Sequence, residues 1–358
     1  ADDNAPIPSL SLATVAALTP PEVEVSFSDD LIHPIDLHGP LKDVDLVGIT
    51  SSTRPAPRAY EIANAYREKG IPVVMGGIHP TAVPEEALQY CDAVVTGEAE
   101  LTWRRLIRDF LKGNLDPVYK QDRFTPPENI PRARRNIYNA RDYFPLSNLQ
   151  ATRGCPYQCD FCTVRRFFGG TYRYRPLEDV IGEIRSIPQK LLMFTDDNIV
   201  GHRRYSRQLL EALIPLKKRW IGQASLDGLS DVNDIKRMKK SGCLGLLIGF
   251  ESISEENIKS TKKFHNRPDD YMRIIHNLHR HGIAIWASFL FGLDYDDPGM
   301  FERAVRFAID AKFISAVFAI LTPYPGTEIY DRLKSEGRLT HDRWWLERDQ
   351  YAESPHFH

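Results

Sequence analysis

Cysteine is scarce in this chain and long apolar stretches are missing, and both shortages narrow what it can be. No hydrophobic run approaches the roughly 18 residues that span a bilayer, so no transmembrane segment is expected. Residues 1–8 have neither the basic n-region nor the apolar core of a secretory signal. Only five of the 358 residues are cysteine, an odd count with three of them bunched at 155–162. That bunching argues against a disulfide framework and for a metal site in a reducing, cytoplasmic compartment. Neither sign of charge dominates, since 46 Lys and Arg against 48 Asp and Glu leave a formal net charge of −2. Nucleic acid and an anionic membrane surface are therefore not expected as main partners. The basic group Lys236, Arg237, Lys239 and Lys240 has helical spacing and reads as a solvated face. A hydrophobic substrate is compatible with all of this.

What is present is alternation. Residues 1–113 show strands over 44–51, 71–75 and 93–96, with helices over 58–69 and 85–90 between them. A further helix carries Trp103, Leu106, Ile107, Phe110 and Leu111 on one face. Strand and helix in turn imply a parallel sheet with right-handed crossovers, a doubly wound Rossmann-like module. Residues 114–145 hold five prolines, among them Pro126 and Pro127, and read as an extended linker. From 146 to 338 six further strands are expected, over 149–153, 191–195, 220–225, 244–250, 283–291 and 316–321. Helices fall between them over 177–186, 205–214, 232–240, 268–280 and 298–312, with a last one over 327–335. Six βα units fit an α/β fold of partial (β/α)6 barrel type, with its site at the C-terminal strand ends. A second doubly wound sheet is the structural alternative. Residues 339–358 form a C-terminal extension.

The cysteines Cys155, Cys159 and Cys162 follow the first barrel strand at C-x3-C-x2-C spacing. Three thiolates reach three corners of one cubane cluster and leave the fourth iron open, whereas electron-transfer [4Fe–4S] sites use four cysteines. Structural zinc takes four ligands in C-x2-C pairs, and no second pair is present. Cys91 and Cys243 each sit beside an apolar strand and read as inert buried thiols. His202 has no spacing that would complete a zinc site. Arg165, Arg166, Arg173 and Arg175 alternate with Phe167, Phe168, Tyr172 and Tyr174. Such a run can grip phosphate or nucleic acid, but beside an anionic cluster charge balance and loop closure are the simpler reading.

This cysteine spacing after the first of six βα units resembles the radical S-adenosylmethionine superfamily. The resemblance implies a [4Fe–4S] cluster whose open iron binds the amino and carboxylate groups of S-adenosylmethionine. One electron, from a donor such as flavodoxin or ferredoxin, then splits the cofactor into a hydrogen-abstracting 5′-deoxyadenosyl radical. It also implies that Phe161 lies near the adenine and that Asp196 and Asp197 receive the methionine ammonium, a carboxylate facing a cationic amine. Gln223 and Ser225 would bind ribose or carboxylate, and Glu251 ribose hydroxyls. Capping of the following helices is the competing role for Asp197 and Ser252. Pro323-Tyr324-Pro325-Gly326 makes a turn with Thr327 as helix cap, at the place where the family borders its substrate pocket.

The N-terminal module resembles the cobalamin-binding domains fused to radical enzymes. Small residues end its strands: Thr50, Ser51 and Thr53 on the first, Gly76 and Gly77 on the second, Gly97 with Glu98 on the third. They would let a nucleotide tail approach the backbone. Two departures stand out. The strand that opens the family domain is absent before the helix over 10–18, and so is the cobalt-binding D-x-H-x-x-G signature. Asp36-Leu37-His38-Gly39 is a misplaced fragment of that signature, and His79 is a weak candidate cobalt ligand. The resemblance implies cobalamin-dependent methylation of an unactivated carbon. Alternatives are cyclisation, ring contraction, oxidation or carbon–carbon coupling of a lipid or tetrapyrrole, or a non-enzymatic iron–sulfur redox or sensing role.

Overall fold

The computed structural model describes residues 6–347 and 356–358. Its contacts group the chain into two units, one of Ala1–Phe144 with Tyr324–His358 and one of Pro145–Pro323.

The first unit opens with α1 (Leu10–Leu18), whose start is capped by Ser9 Oγ accepting from Leu12 N. Then come β1 (Val47–Thr50), α2 (Ala56–Arg67), β2 (Val73–Gly76), α3 (Ile78–Ala82), α4 (Pro84–Ala87), β3 (Ala93–Thr96), α5 (Trp103–Leu111) and β4 (Val118–Lys120). The strands form one parallel sheet in the order β1-β2-β3-β4. Its two faces are both apolar, as a parallel sheet covered on both sides requires. Val73, Met75 and Val94 pack with Ala59, Tyr60 and Ala63 of α2, while Val74 and Val95 pack with Leu106 and Ile107 of α5. The segment read as a linker contributes β4. Tyr119, fully buried between the exposed Val118 and Lys120, anchors it, and its hydroxyl donates to Asp109. A three-residue strand with one inward side chain leaves too short a pattern to stand out among prolines.

The second unit begins with β5 (Ser147–Leu149). β6 (Thr152–Gly154), α6 (Thr163–Phe168) and β7 (Tyr172–Tyr174) follow, and β6 and β7 pair antiparallel. The strand expected over 149–153 is thus broken. The Asp196 carboxylate takes the amide hydrogens of Ala151 and Thr152, which a continuous strand would give to its neighbour. Helix and strand then alternate through α7 (Leu177–Ser186), β8 (Leu191–Phe194), α8 (Arg203–Leu213), β9 (Arg219–Gln223), α9 (Val232–Lys240) and β10 (Cys243–Glu251). They continue through α10 (Glu255–Ser260), α11 (Tyr271–Arg280), β11 (Ala284–Phe291), α12 (Met300–Asp310) and β12 (Ser315–Ile320). The six-stranded sheet runs β12-β11-β10-β9-β8-β5, with every neighbour parallel. Each unit adds to the same side of the last. A doubly wound sheet reverses its strand order at a switch point, and none occurs here, so the partial (β/α)6 barrel is the fold. Leu192, Phe194, Trp220, Leu246, Ile248 and Phe289 meet Ile184, Leu209, Ile235 and Leu278 of the helices. Each such side chain contributes about 1.5–3 kcal/mol when fully buried.

The last helix, α13 (Glu328–Ser335), was expected within the barrel unit, with a boundary at 338. By its contacts the described chain from Tyr324, residues 324–347 and 356–358, groups with the first unit. Trp344 and Trp345 are buried there. Trp345 Nε1 donates to Glu86 Oε1 at 2.9 Å.

Candidate cofactor sites

All three cysteines of the bunched run lie in the loop between β6 and α6, as free, half-buried thiols. Burial pushes the Cys155 thiol up to about 11 and that of Cys159 to about 12. Burial raises Cys162 as well, opposed by the amides of Val164 and Arg165 at the start of α6. Among the described residues no three or more His, Cys, Asp or Glu side chains converge as ligands of one metal ion. A cubane asks for something else, since each of its thiolates ligates a different iron. Three reduced, soft sulfur donors within one loop fit that group.

Strand ends around this loop hold the other expected residues. Asp196 is fully buried and accepts from Ala151 N, Thr152 N and Thr152 Oγ1, the last at 2.6 Å. Those bonds commit its carboxylate to pinning the start of the cysteine loop onto β8. The ammonium expected on Asp196 thus meets a carboxylate already supplied with donors. Asp197 is less enclosed and accepts from Gly154 N at 3.0 Å. Burial raises both acids to about 6. Asn198, next in the chain, links two strand ends by donating to Ser225 Oγ at 3.0 Å. Gln223 closes β9, and its carbonyl accepts from Ile199 N.

Glu251 closes β10 with φ at +62°, a left-handed backbone for a non-glycine residue, which costs on the order of 1–3 kcal/mol. A register shift between Gly249 and Glu251 accompanies it. Its Oε1 accepts from Lys263 Nζ at 2.7 Å, and that ammonium lies 5.9 Å from the centroid of the Phe161 ring. Lys263 is the main residue that sequence reasoning missed. Ser254 followed by two glutamates is an N-cap signal for α10, and that helix carries 261–263 back over the strand end.

The second half of the arginine and aromatic run serves the fold. Arg175 is buried against Glu183 at 2.7 Å, Arg173 lies over Phe168, and Tyr174 stacks on Tyr205. His202 caps α8 by accepting from Tyr205 N.

In the first unit, the sheet brings the small residues together. Thr50 pairs with Gly76 in register. A Cβ on Gly77, where φ is +99°, would lie 2.7 Å from Thr50 Oγ1 and 2.8 Å from the Ser51 carbonyl oxygen. One on Gly97, at φ +76°, would lie 2.7 Å from Gln121 Nε2. Thr81 Oγ1 accepts from Gly97 N at 2.9 Å. Thr96 Oγ1 and Gln121 Oε1 are buried there without a hydrogen-bond partner. A cradle that any side chain would fill, edged by unsatisfied polar atoms, fits the polar tail of a cobalamin. Thr53 is buried beside the start of α2. The Glu98 carboxylate accepts from Thr125 N at 2.8 Å and so secures the segment after β4.

Asp36 and His38 form an exposed turn in which Asp36 Oδ1 accepts from His38 N. His79 is fully buried, and its Nε2 meets Tyr60 Oη at 2.9 Å and Glu86 Oε1 at 3.3 Å.

Family comparisons agree with this geometry. The radical SAM superfamily model matches residues 149–308, and the B12 binding domain model matches residues 5–107. The chain is 34% identical over 349 residues to bacteriochlorophyllide d C-12(1)-methyltransferase of Chlorobaculum tepidum, covering 94% of this chain and 75% of that one. It is 31% identical to the C-8(2)-methyltransferase of the same organism, with 95% and 79% covered. The solved structure of the radical S-adenosylmethionine methyltransferase TsrM from Kitasatospora setae, with cobalamin and [4Fe–4S] cluster bound, has a TM-score of 0.76 at 19% identity. That match covers 92% of this chain and 76% of TsrM. A cobalamin-binding module, a cluster-binding barrel and extended identity to such methyltransferases coincide in one polypeptide, which therefore belongs to the cobalamin-dependent radical S-adenosylmethionine enzymes.

Proposed function

We propose that this enzyme methylates an unactivated carbon on the periphery of a chlorophyll-type tetrapyrrole. The observation that carries the reading is the pair of Chlorobaculum tepidum relatives, each matched over almost all of this chain and each named for methylating a bacteriochlorophyllide. When bound, the cluster with S-adenosylmethionine supplies a hydrogen-abstracting radical and cobalamin supplies the methyl group. The chain's own part is holding and orienting. Cys155, Cys159 and Cys162 ligate the cluster. Phe161, Asp197, Gln223, Ser225 and Glu251 line the strand ends where S-adenosylmethionine would lie, and Asp196 fixes the loop rather than the ligand. Thr50, Ser51, Thr53, Gly76, Gly77 and Gly97 admit the cobalamin tail, and Glu98 shapes the segment beside it. An external one-electron donor such as flavodoxin or ferredoxin completes the cycle, in the cytoplasmic setting that reduced thiols favour. No helix among the described residues is long and apolar enough to cross a membrane.

The test is anaerobic turnover of the reconstituted protein with S-adenosylmethionine, hydroxocobalamin as the unmethylated corrinoid, a reductant and a bacteriochlorophyllide. The expected result is a product heavier by one CH2, with both 5′-deoxyadenosine and S-adenosylhomocysteine formed. Appearance of 5′-deoxyadenosine with no S-adenosylhomocysteine would replace methyl transfer by cyclisation or another radical outcome. Turnover of lipid but not tetrapyrrole would overturn the substrate class.

A further inference from the structure

The loop between α10 and α11, residues 261–266, touches the cysteine loop at three successive points. Thr261 O accepts from Asp160 N at 3.2 Å. Lys263 Nζ lies 5.9 Å from the Phe161 ring centroid. His265 stacks on Tyr157 with centroids 3.6 Å apart and planes 15° from parallel. On its other side, Asn266 Nδ2 donates to the carbonyls of Gly249 and Phe250 at 2.9 and 3.1 Å. The segment therefore clasps the cysteine loop onto the end of β10. At its centre is a buried cation. The Lys263 and Glu251 side chains are only 12% and 9% exposed and meet at 2.7 Å. A lysine at that depth is tolerated only with a partner. Gly249 makes room for both, since a Cβ there would come within 2.2 Å of Glu251 Oε1 and 2.9 Å of Lys263 Nζ. The charge of Lys263 acts on all three cysteine sulfurs, against the like charges of Glu251 and Asp197.

We propose that Lys263 is a positioning residue for the iron–sulfur centre, its ammonium compensating the negative charge that the cluster gains on reduction while its pair with Glu251 holds the clasp closed. An electron entering a three-thiolate cluster raises the negative charge of a poorly solvated site, and local net charge is one of the levers that set such a potential. This rests on the cluster assignment above, and it is independent of what the radical is used for.

The full-length protein, reconstituted with iron and sulfide, is titrated through its cluster couple by electron paramagnetic resonance, with iron content as a second readout. Lys263→Met is expected to move the couple to a more negative potential. Lys263→Arg should leave it near wild type, and Glu251→Gln should move it to a more positive one. A Lys263→Met protein with full iron content and an unchanged or more positive couple would overturn the proposal. Should Lys263→Met take up no cluster, Glu251→Gln decides, with a positive shift in support and no shift against. Wild-type protein that titrates a cluster yet methylates nothing would count against the function proposed above and leave this inference intact.

Discussion

At the scale of single residues, chemistry and room make different demands. In the proposed cluster site Cys159 supplies one of three thiolates, and neither Cys91 nor Cys243 is available as a substitute. Both are buried, and burial pushes the Cys91 thiol up to about 12 and raises Cys243 further. Cys159→Ala is therefore expected to lower bound iron sharply and to abolish S-adenosylmethionine cleavage. Quantifying iron and 5′-deoxyadenosine checks this, and cleavage that survives would remove the cysteine assignment. Gly77 is needed for space rather than reactivity. An alanine there would hold an unfavourable φ of +99° and press its Cβ onto the Ser51 carbonyl. The cost is about 1–3 kcal/mol, and the cradle is filled at the same stroke. Gly77→Ala should fold with a lower urea midpoint and lose corrinoid binding in a spectroscopic titration, while still taking up its cluster. Wild-type corrinoid affinity in that variant would move the binding site elsewhere.

Whole elements show what local sequence pattern could and could not reveal. Helices α7 and α9 fall at their expected limits, because their apolar residues repeat at helical spacing and their ends carry clear signals. The strands β8 to β12 are similarly evident as apolar runs between such helices. The elements lost were short ones, α3, α6, β7, α10 and β4, the last of which depends on one inward residue, Tyr119. The element divided was the first barrel strand, whose break is caused by Asp196 some 45 positions later along the chain. No window of sequence contains that cause. The same distance explains the site: sequence proximity located the cysteines and strand-end glycines, but only the folded chain brings Lys263 to Glu251 and Phe161. Asp196→Ala would strand the donors of Ala151 and Thr152 in a buried place, at about 1–3 kcal/mol for each unsatisfied group. The variant is expected to lose several kcal/mol of stability and to bind its cluster weakly, with the loop over 155–162 exchanging amide hydrogens faster. Unchanged exchange there would show that Asp196 does not hold the loop.

For the molecule as a whole, the C-terminal return is the feature with the largest expected consequence. Trp345 is almost fully buried in the first unit, and its indole N–H donates to the Glu86 carboxylate that also accepts from Tyr60. Burial by itself would raise Glu86. The hydrogen bonds from His79, Trp345 and Tyr60 outweigh it and hold the carboxyl below the usual carboxylate range. A carboxylate whose folded pKa is depressed contributes stability above its unfolded value of 4.5, and that stability is lost as pH falls through the lower folded value. Two variants separate packing from charge. Trp345→Ala removes the indole and one donor, and should cost about 3–5 kcal/mol at neutral pH. Glu86→Gln keeps the volume but removes the ionisation, so its urea midpoint should change less than wild type's between pH 7 and pH 4. If Glu86→Gln loses stability on acidification as steeply as wild type, then the carboxylate is not the link through which acid loosens this unit.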